Sequence, residues 1–335
     1  MEARQTRGVG MILGKFLPPH AGHQHLVQFG LNFAKRLHLL VCTLDREPIP
    51  GELRRDWMSE LFPQAQLHHI TADLPQEPSE HPQFWDIWRE TVQAAVGEPI
   101  DYVFASEDYG RRLADELGAQ FIPVDVARSG VPISGTAIRE APLRHWEHLP
   151  TCVRPYYAKR VCVFGPESTG KSTLARDLAA HFHTVHVPEF ARGLLDPKQG
   201  ECDYDDIAVI ARGQAAAEDS LARRANRVLL CDTDLWLTTI WSDVLFGKCP
   251  TWIAAEAARR KYDLYLLLDV DVPWVDDAQR YLPHKRQEFF NRCHELLKRH
   301  RLPYQIIRGD WQQRFESARD AVSRLLQESR CVSEG

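Results

Sequence analysis

Residues 159–182 read KRVCVFGPESTGKSTLARDLAAHF. The continuous apolar run up to Phe164 is what a strand buried on both faces looks like, and leucine and alanine then recur at helical spacing. Between them lies Gly165-Pro166-Glu167-Ser168-Thr169-Gly170-Lys171-Ser172, a complete G-x-x-x-x-G-K-[ST] loop in the strand-to-helix context the pattern requires. In such a loop successive N–H groups wrap a phosphate. Glu167, Ser168, Thr169, Gly170 and Thr173 contribute to that wrap, Lys171 reaches the outer phosphate oxygens, and Ser172 ligates the Mg²⁺ that travels with ATP. The reading implies an ATP-dependent unit built on a parallel sheet.

Downstream, strands are expected at Arg227 to Cys231, Tyr262 to Leu268 and Pro303 to Arg308, with helices over Ser172 to His181 and Phe315 to Gln327. Asp232 ends the RVLLCD run, the place where a carboxylate beside such a loop meets Mg²⁺. Three carboxylates compete for the role of base: Asp232, Asp234 and Glu189. Glu189 and Arg192, in VPEFAR, either reach an acceptor or form a surface ion pair. Arg280 and Arg286, after Trp274, suit a lid over transferring phosphate.

Upstream the same grammar occurs once before. Strands are expected at Gly8 to Leu13, Leu37 to Thr43, Asp101 to Ala105 and Gln120 to Val124, a helix runs from His23 to about Arg36, and a loop covers Glu47 to Gly51. After the first strand comes GKFLPPHAGH, residues 14–23. Gly14 is expected to let the chain turn sharply out of the sheet, and Gly22 to let an anion approach a helix start, with Phe16 between them. His20 and His23 then face that anion; paired histidines at a helix start also serve as caps or metal ligands. The chain is thus read as α/β, two tandem parallel-sheet domains at 1–150 and 151–335, with the join near residues 147–158.

The first motif resembles the H-x-G-H nucleotidyltransferase superfamily, and residues 133–139, ISGTAIR, match its I-S-x-T-x-x-R segment. That resemblance implies a Rossmann-like domain in which a phosphate attacks the α-phosphorus of ATP and pyrophosphate leaves. His20 and His23 would hold α- and β-phosphate oxygens, Lys15 and Arg139 would stabilise developing charge, and Ser134 and Thr136 would hold the pyrophosphate. Coupled to the second loop, the chain resembles the bifunctional nicotinamide-nucleotide adenylyltransferase / ribosylnicotinamide kinase family of NadR type. The likeness runs through GKFLPPHAGH, RRDW at 54–57, VFASEDYG at 103–110, ISGTAIR, GPESTGKST, VPEFAR, CDTD and LLLDVDVPWVDDAQR. It implies a P-loop kinase domain that phosphorylates nicotinamide riboside with ATP and Mg²⁺. It also implies a first domain that adenylylates the resulting nicotinamide mononucleotide, with NAD as product.

A cationic, planar ring calls for an aromatic platform. Trp85 and Trp88 in FWDIWRE are candidates for the first half, or else core residues of an amphipathic helix. Trp236 and Trp274 are candidates for the second. Arg54 binds the mononucleotide phosphate or decorates a helix, and Ser106 and Glu107, at a strand's carboxyl end, face ligand.

The composition fits this reading. Of 335 residues, 44% are hydrophobic and 26% charged, and the formal charge is −5. Such a balance speaks against binding nucleic acid through bulk positive charge, and no apolar run approaches the roughly 18 residues of a membrane span. Eight cysteines (Cys42, Cys152, Cys162, Cys202, Cys231, Cys249, Cys293 and Cys331) include no C-x-x-C pair, as expected for reduced thiols in a cytoplasm. Some relatives carry an added DNA-binding domain at the N-terminus. Here the first strand begins near residue 8, so no operator binding is expected. The residues specify no oligomeric state, and a homo-oligomer is compatible with them. Two other readings share the motifs: a nucleotide or NAD sensor with one weak half, and an adenylyltransferase–kinase pair serving another cofactor.

Overall fold

The computed structural model describes residues 8–275 and 284–328. The chain divides into two units, Met1–Val153 and Arg154–Gly335. Among the described residues no helix is long and apolar enough to cross a membrane.

The first unit is one parallel sheet of β1 (Val9–Gly14), β2 (Arg36–Cys42), β3 (Gln66–Ile70), β4 (Tyr102–Ala105) and β5 (Gln120–Pro123), in the order β3-β2-β1-β4-β5. Helices α1 (Ala21–Phe33), α2 (Gly51–Leu61), α3 (Phe84–Val96), α4 (Tyr109–Leu117) and α5 (Gly135–Glu140) accompany it. Successive residues of β1 serve opposite faces: Ile12 packs with Val27, Leu39 and Phe104, whereas Met11 packs with Leu40, Trp88 and Val103. Both faces are therefore dry, which is why β1 and β2 read as unbroken apolar runs. The strand order reverses between β1 and β4, so the loops leaving their carboxyl ends diverge and leave a crevice for a ligand. One strand of this sheet was not expected. β3 is an edge strand of sequence QLHHI, and its half-buried polar residues give no apolar signal.

The second unit repeats the plan with β6 (Lys159–Phe164), β7 (His186–Val187), β8 (Val228–Asp232), β9 (Leu264–Leu268) and β10 (Tyr304–Ile307), ordered β10-β9-β6-β8-β7 and all parallel. Its helices are α6 (Arg154–Tyr157), α7 (Lys171–His181), α8 (Phe190–Leu195), α9 (Tyr204–Ala222), α10 (Leu235–Phe246), α11 (Thr251–Arg259), α12 (Arg286–Arg299) and α13 (Trp311–Glu328). Val161, Val163 and Leu174 meet α13 on one face of the sheet. Cys162 and Phe164 meet α9 and α10 on the other. The seven cysteines of the described residues are all free thiols, and burial pushes Cys42 up to about 12. Cys331 and Arg280 lie outside the described residues, as does the rest of the expected lid at 276–283.

Candidate active sites

In the first unit the loop after β1, the start of α1, the end of β4 and the start of α5 enclose a cleft of about 1120 Å³. Gly14, Lys15, Phe16, His20, Gly22 and His23 line it from one side. Ser134, Thr136 and Arg139 line it as well, with Trp85, Trp88, Ser106 and Glu107. His20 is the N-cap of α1: its Nδ1 accepts the N–H groups of Gly22 at 3.1 Å and His23 at 3.4 Å. With Nδ1 accepting, the neutral ring carries its proton on Nε2, a donor for an anion. The His23 ring stacks on it at 3.8 Å and meets the Phe16 edge at 5.0 Å. Burial, with Arg128 and His148 adding to it, lowers His20 to about 4; burial and then His20 hold His23 well below the ordinary value. Both imidazoles are therefore neutral donors near pH 7, and the positive charge of the cleft comes from Lys15, Arg128 and Arg139.

Several sequence expectations change here. The left-handed residue of the loop is Phe16 (φ 47°), not Gly14. At Gly14 a Cβ would stand 3.3 Å from the Phe16 ring, a tight approach that the ring would have to relieve by a few tenths of an ångström. Ser134 caps α5, its Oγ accepting the Ala137 N–H at 3.1 Å. Arg139 donates to Thr136 Oγ1 at 3.1 Å and to the Leu17 carbonyl at 2.6 Å, so both hydroxyls already hold the helix start and its arginine. Arg54 is no surface decoration. It is fully buried, donates to the Lys15 carbonyl at 2.8 Å and pairs with Glu47 at 2.5 Å, which places it behind the phosphate loop. Burial alone would raise Glu47. The Leu44 N–H, Arg54 and Lys15 (3.1 Å) outweigh it and keep the carboxylate below its usual range. Trp88 serves the core, donating Nε1–H to the Pro75 carbonyl at 3.0 Å while one edge reaches the cleft.

Three cleft residues were missed. Tyr109 donates to the Leu13 carbonyl at 2.8 Å. Arg128, at φ 50°, pairs with Glu107 at 3.2 Å. Asp125 accepts the N–H groups of Ser129, Gly130 and Val131 at 2.9–3.1 Å and so shapes the Arg128 loop. These bonds run four to six residues along the chain, longer than the two-residue spacing of an Asx-turn, so no simple turn signal marks them in the sequence.

In the second unit, Gly165 (φ 133°) and Gly170 (φ 84°) adopt conformations that side chains avoid, and Ser168 shares the left-handed region at φ 55°. Lys171 Nζ and Thr169 Oγ1 both donate to the Pro166 carbonyl, at 2.9 and 2.8 Å. Arg314, unflagged in the sequence, is buried behind this loop and donates to the Thr169 carbonyl at 3.1 Å and the Asp269 carbonyl at 2.9 Å; it also pairs with Asp271. Asp232 is 1% exposed, and its Oδ1 has no hydrogen-bond partner among the described residues. Burial and then Glu189 raise it to about 6, against the pull of Lys171 and a Ser172 hydrogen bond. Thr233, a β-branched residue at φ 72°, follows it, and such strain gathers at sites of function.

Next to the loop is a narrow cavity of about 80 Å³, lined by Glu167, Lys171, Glu189 and Arg192, with Gln214, Leu237 and Trp241 among the remaining walls. Glu189 and Arg192, 3.3 Å apart, are thus a cavity pair rather than a plain surface pair. Asp234 is not in this cavity. It caps α10 by accepting the Leu237 N–H at 3.0 Å, accepts the Tyr265 hydroxyl at 2.8 Å, and is raised by burial to about 7. Trp236 is core, packed at a tilt against His300 with ring centroids 4.2 Å apart. Trp274 lies against Arg286 at 5.7 Å, and Arg286 donates to the Val272 and Ser168 carbonyls at 2.9 and 3.0 Å. Arg286 therefore braces the phosphate loop from outside. The aromatic residue that does line the cavity is Trp241, which the sequence analysis did not single out.

A family model described as an AAA domain matches residues 160–314. Among curated proteins, the trifunctional NAD biosynthesis/regulator protein NadR of Escherichia coli (strain K12) is 30% identical over 352 residues, covering 98% of this chain and 85% of the relative. Its Salmonella typhimurium counterpart is 28% identical over 349 residues, covering 97% and 85%. A crystal structure of a NadR protein in complex with NR superimposes with a TM-score of 0.81 at 23% identity, covering 96% of this chain and 97% of that one. Another, with NAD and AMP-PNP, gives 0.78 at 23% identity over 98% of each chain. Fold and phosphate loops define a nucleotidyltransferase-like unit followed by a P-loop kinase-like unit. The chain belongs to the NadR family of NAD biosynthesis/regulator proteins.

Proposed function

We propose that the chain is a two-step NAD salvage enzyme, with the transferase step in 1–150 and the kinase step in 151–335. The observation that carries this reading is the presence of two phosphate loops, each at the carboxyl end of the central strand of its own sheet.

In the second unit the 5′-hydroxyl oxygen of nicotinamide riboside attacks the γ-phosphorus of ATP. The bond to the β-bridging oxygen breaks and ADP leaves. Lys171 follows the transferring charge, and Glu189 accepts the hydroxyl proton, since it lines the acceptor cavity whereas Asp232 sits deeper and Asp234 faces the core. Ser172 and Asp232 present two hard oxygens, one of them buried and unpartnered, a donor set that fits Mg²⁺. These residues would hold Mg²⁺, which would supply screening of the triphosphate charge. In the first unit a phosphate oxygen of nicotinamide mononucleotide attacks the α-phosphorus of a second ATP, and pyrophosphate leaves, giving NAD. His20 Nε2–H and His23 donate to the phosphates, and Lys15 and Arg139 stabilise the charge that builds on the pyrophosphate.

The test is incubation of the protein with nicotinamide riboside and ATP-Mg, followed by mass analysis. Mononucleotide and then NAD are expected; release of neither would refute the reading.

A further inference from the structure

Gln214, on α9, is 2% exposed and lines the cavity beside the kinase phosphate loop. Its Oε1 accepts the Phe190 N–H at 3.0 Å, which fixes the orientation of the amide, because only the oxygen can accept. The Nε2 group thereby turns away from Phe190, and it donates to nothing among the described residues. The side chain has little freedom to swing elsewhere. At the neighbouring Gly213 a Cβ would stand 2.3 Å from the Phe190 ring, so α8 and α9 are pressed together at this point. A buried amide donor left unmatched is costly, and natural proteins keep such groups where something else supplies the partner.

The cavity indicates what that partner is. Lys171 and Glu189 occupy the end where phosphate meets hydroxyl, while Ile207, Ile210, Leu237 and Trp241 offer apolar and aromatic walls suited to a flat ring. We propose that Gln214 Nε2 donates a hydrogen bond to a carbonyl oxygen carried on the ring of the acceptor riboside, and so determines which ring the kinase unit accepts. The proposal rests on the kinase reading above and adds the recognised group to it. Sites built around a buried donor discriminate strongly against analogues that lack the acceptor, because the donor is then left unpaired.

The experiment uses the full chain with saturating ATP-Mg and two acceptors, nicotinamide riboside and the riboside of unsubstituted pyridinium. Wild type is expected to favour the carboxamide compound by at least about tenfold in kcat/KM. Gln214→Leu removes donor and acceptor together, and Gln214→Glu keeps an oxygen for the Phe190 N–H while removing the donor. Both variants are expected to lose most of the preference through a raised KM for nicotinamide riboside, with adenylyl transfer unchanged as the control for folding. If Gln214→Glu slows both ribosides equally or keeps the wild-type preference, Gln214 merely braces Phe190 and the proposal falls. Wild-type protein that phosphorylates neither riboside would overturn the kinase reading, and this proposal with it, which is a different result.

Discussion

The two phosphate loops occupy equivalent places in similar sheets, yet the spaces beside them differ in size and in the titratable groups nearest the phosphate. The first unit surrounds a cleft of about 1120 Å³ with imidazoles held neutral by burial and with exposed cations. The second sets Glu167 and Glu189 beside Lys171 and Arg192 in a cavity of about 80 Å³, and the deeper Asp232 is raised by burial to about 6. The difference follows from the proposed nucleophiles. A mononucleotide phosphate is already anionic, so its site needs donors, cations and room for two nucleotides but no base. A riboside hydroxyl has a proton to lose and water to compete with, so its site needs a carboxylate and a tight fit.

This contrast is most exposed at Glu189. Replacing it with glutamine is expected to lower riboside phosphorylation about 10²- to 10⁴-fold, the usual worth of a positioned base, while leaving adenylyl transfer untouched. An unchanged rate would remove the base from the second site and the contrast with it. Next in size is His23→Ala, expected to cost adenylyl transfer about 10²- to 10³-fold, as loss of a charge-stabilising donor does, with the kinase rate as internal control. Arg54→Ala removes the buried cation beside Glu47, leaving only Lys15 and the Leu44 N–H to hold it, and is expected to cost about 3 kcal/mol; heat inactivation of adenylyl transfer at a lower temperature would register it.

The smallest effect concerns acid. His20 falls from 6.5 to about 4 on folding, so the unfolded chain binds more protons between those values. The first unit therefore loses stability as pH drops through that window, by up to roughly 3 kcal/mol. Asp232 rises from 3.8 to about 6, so here the folded chain binds more protons, and this carboxyl group stabilises the second unit as pH falls through that range. Amide exchange at pH 7 and pH 5, compared for wild type, His20→Asn and Asp232→Asn, separates the opposite signs. Equal responses in the two units would blunt the comparison.

Much of this was legible in the sequence because glycine and buried apolar runs act locally. The strand before each phosphate loop, the helix after it and the loop itself are read from spacing alone. Four things were not. β3 is an edge strand whose polar residues mimic a loop. Arg54 and Arg314 look like surface cations, and only packing reveals that each is buried against loop carbonyls. Asp232 and Asp234 are two residues apart and look equivalent, but Thr233 in a left-handed conformation lies between them, and one carboxylate meets the phosphate loop while the other meets Tyr265. Which of several tryptophans lines the acceptor cavity is likewise a question of which helix face the sheet covers, and periodicity does not report that for an apolar helix such as α10.

The most direct measurement pairs two variants, Lys171→Ala and His20→Ala, each given nicotinamide riboside, nicotinamide mononucleotide and ATP-Mg in separate assays. The Lys171 variant is expected to make NAD from mononucleotide but nothing from riboside, the His20 variant to stop at mononucleotide, and a mixture of the two to carry riboside through to NAD. Loss of both activities in either folded variant would contradict two independent sites.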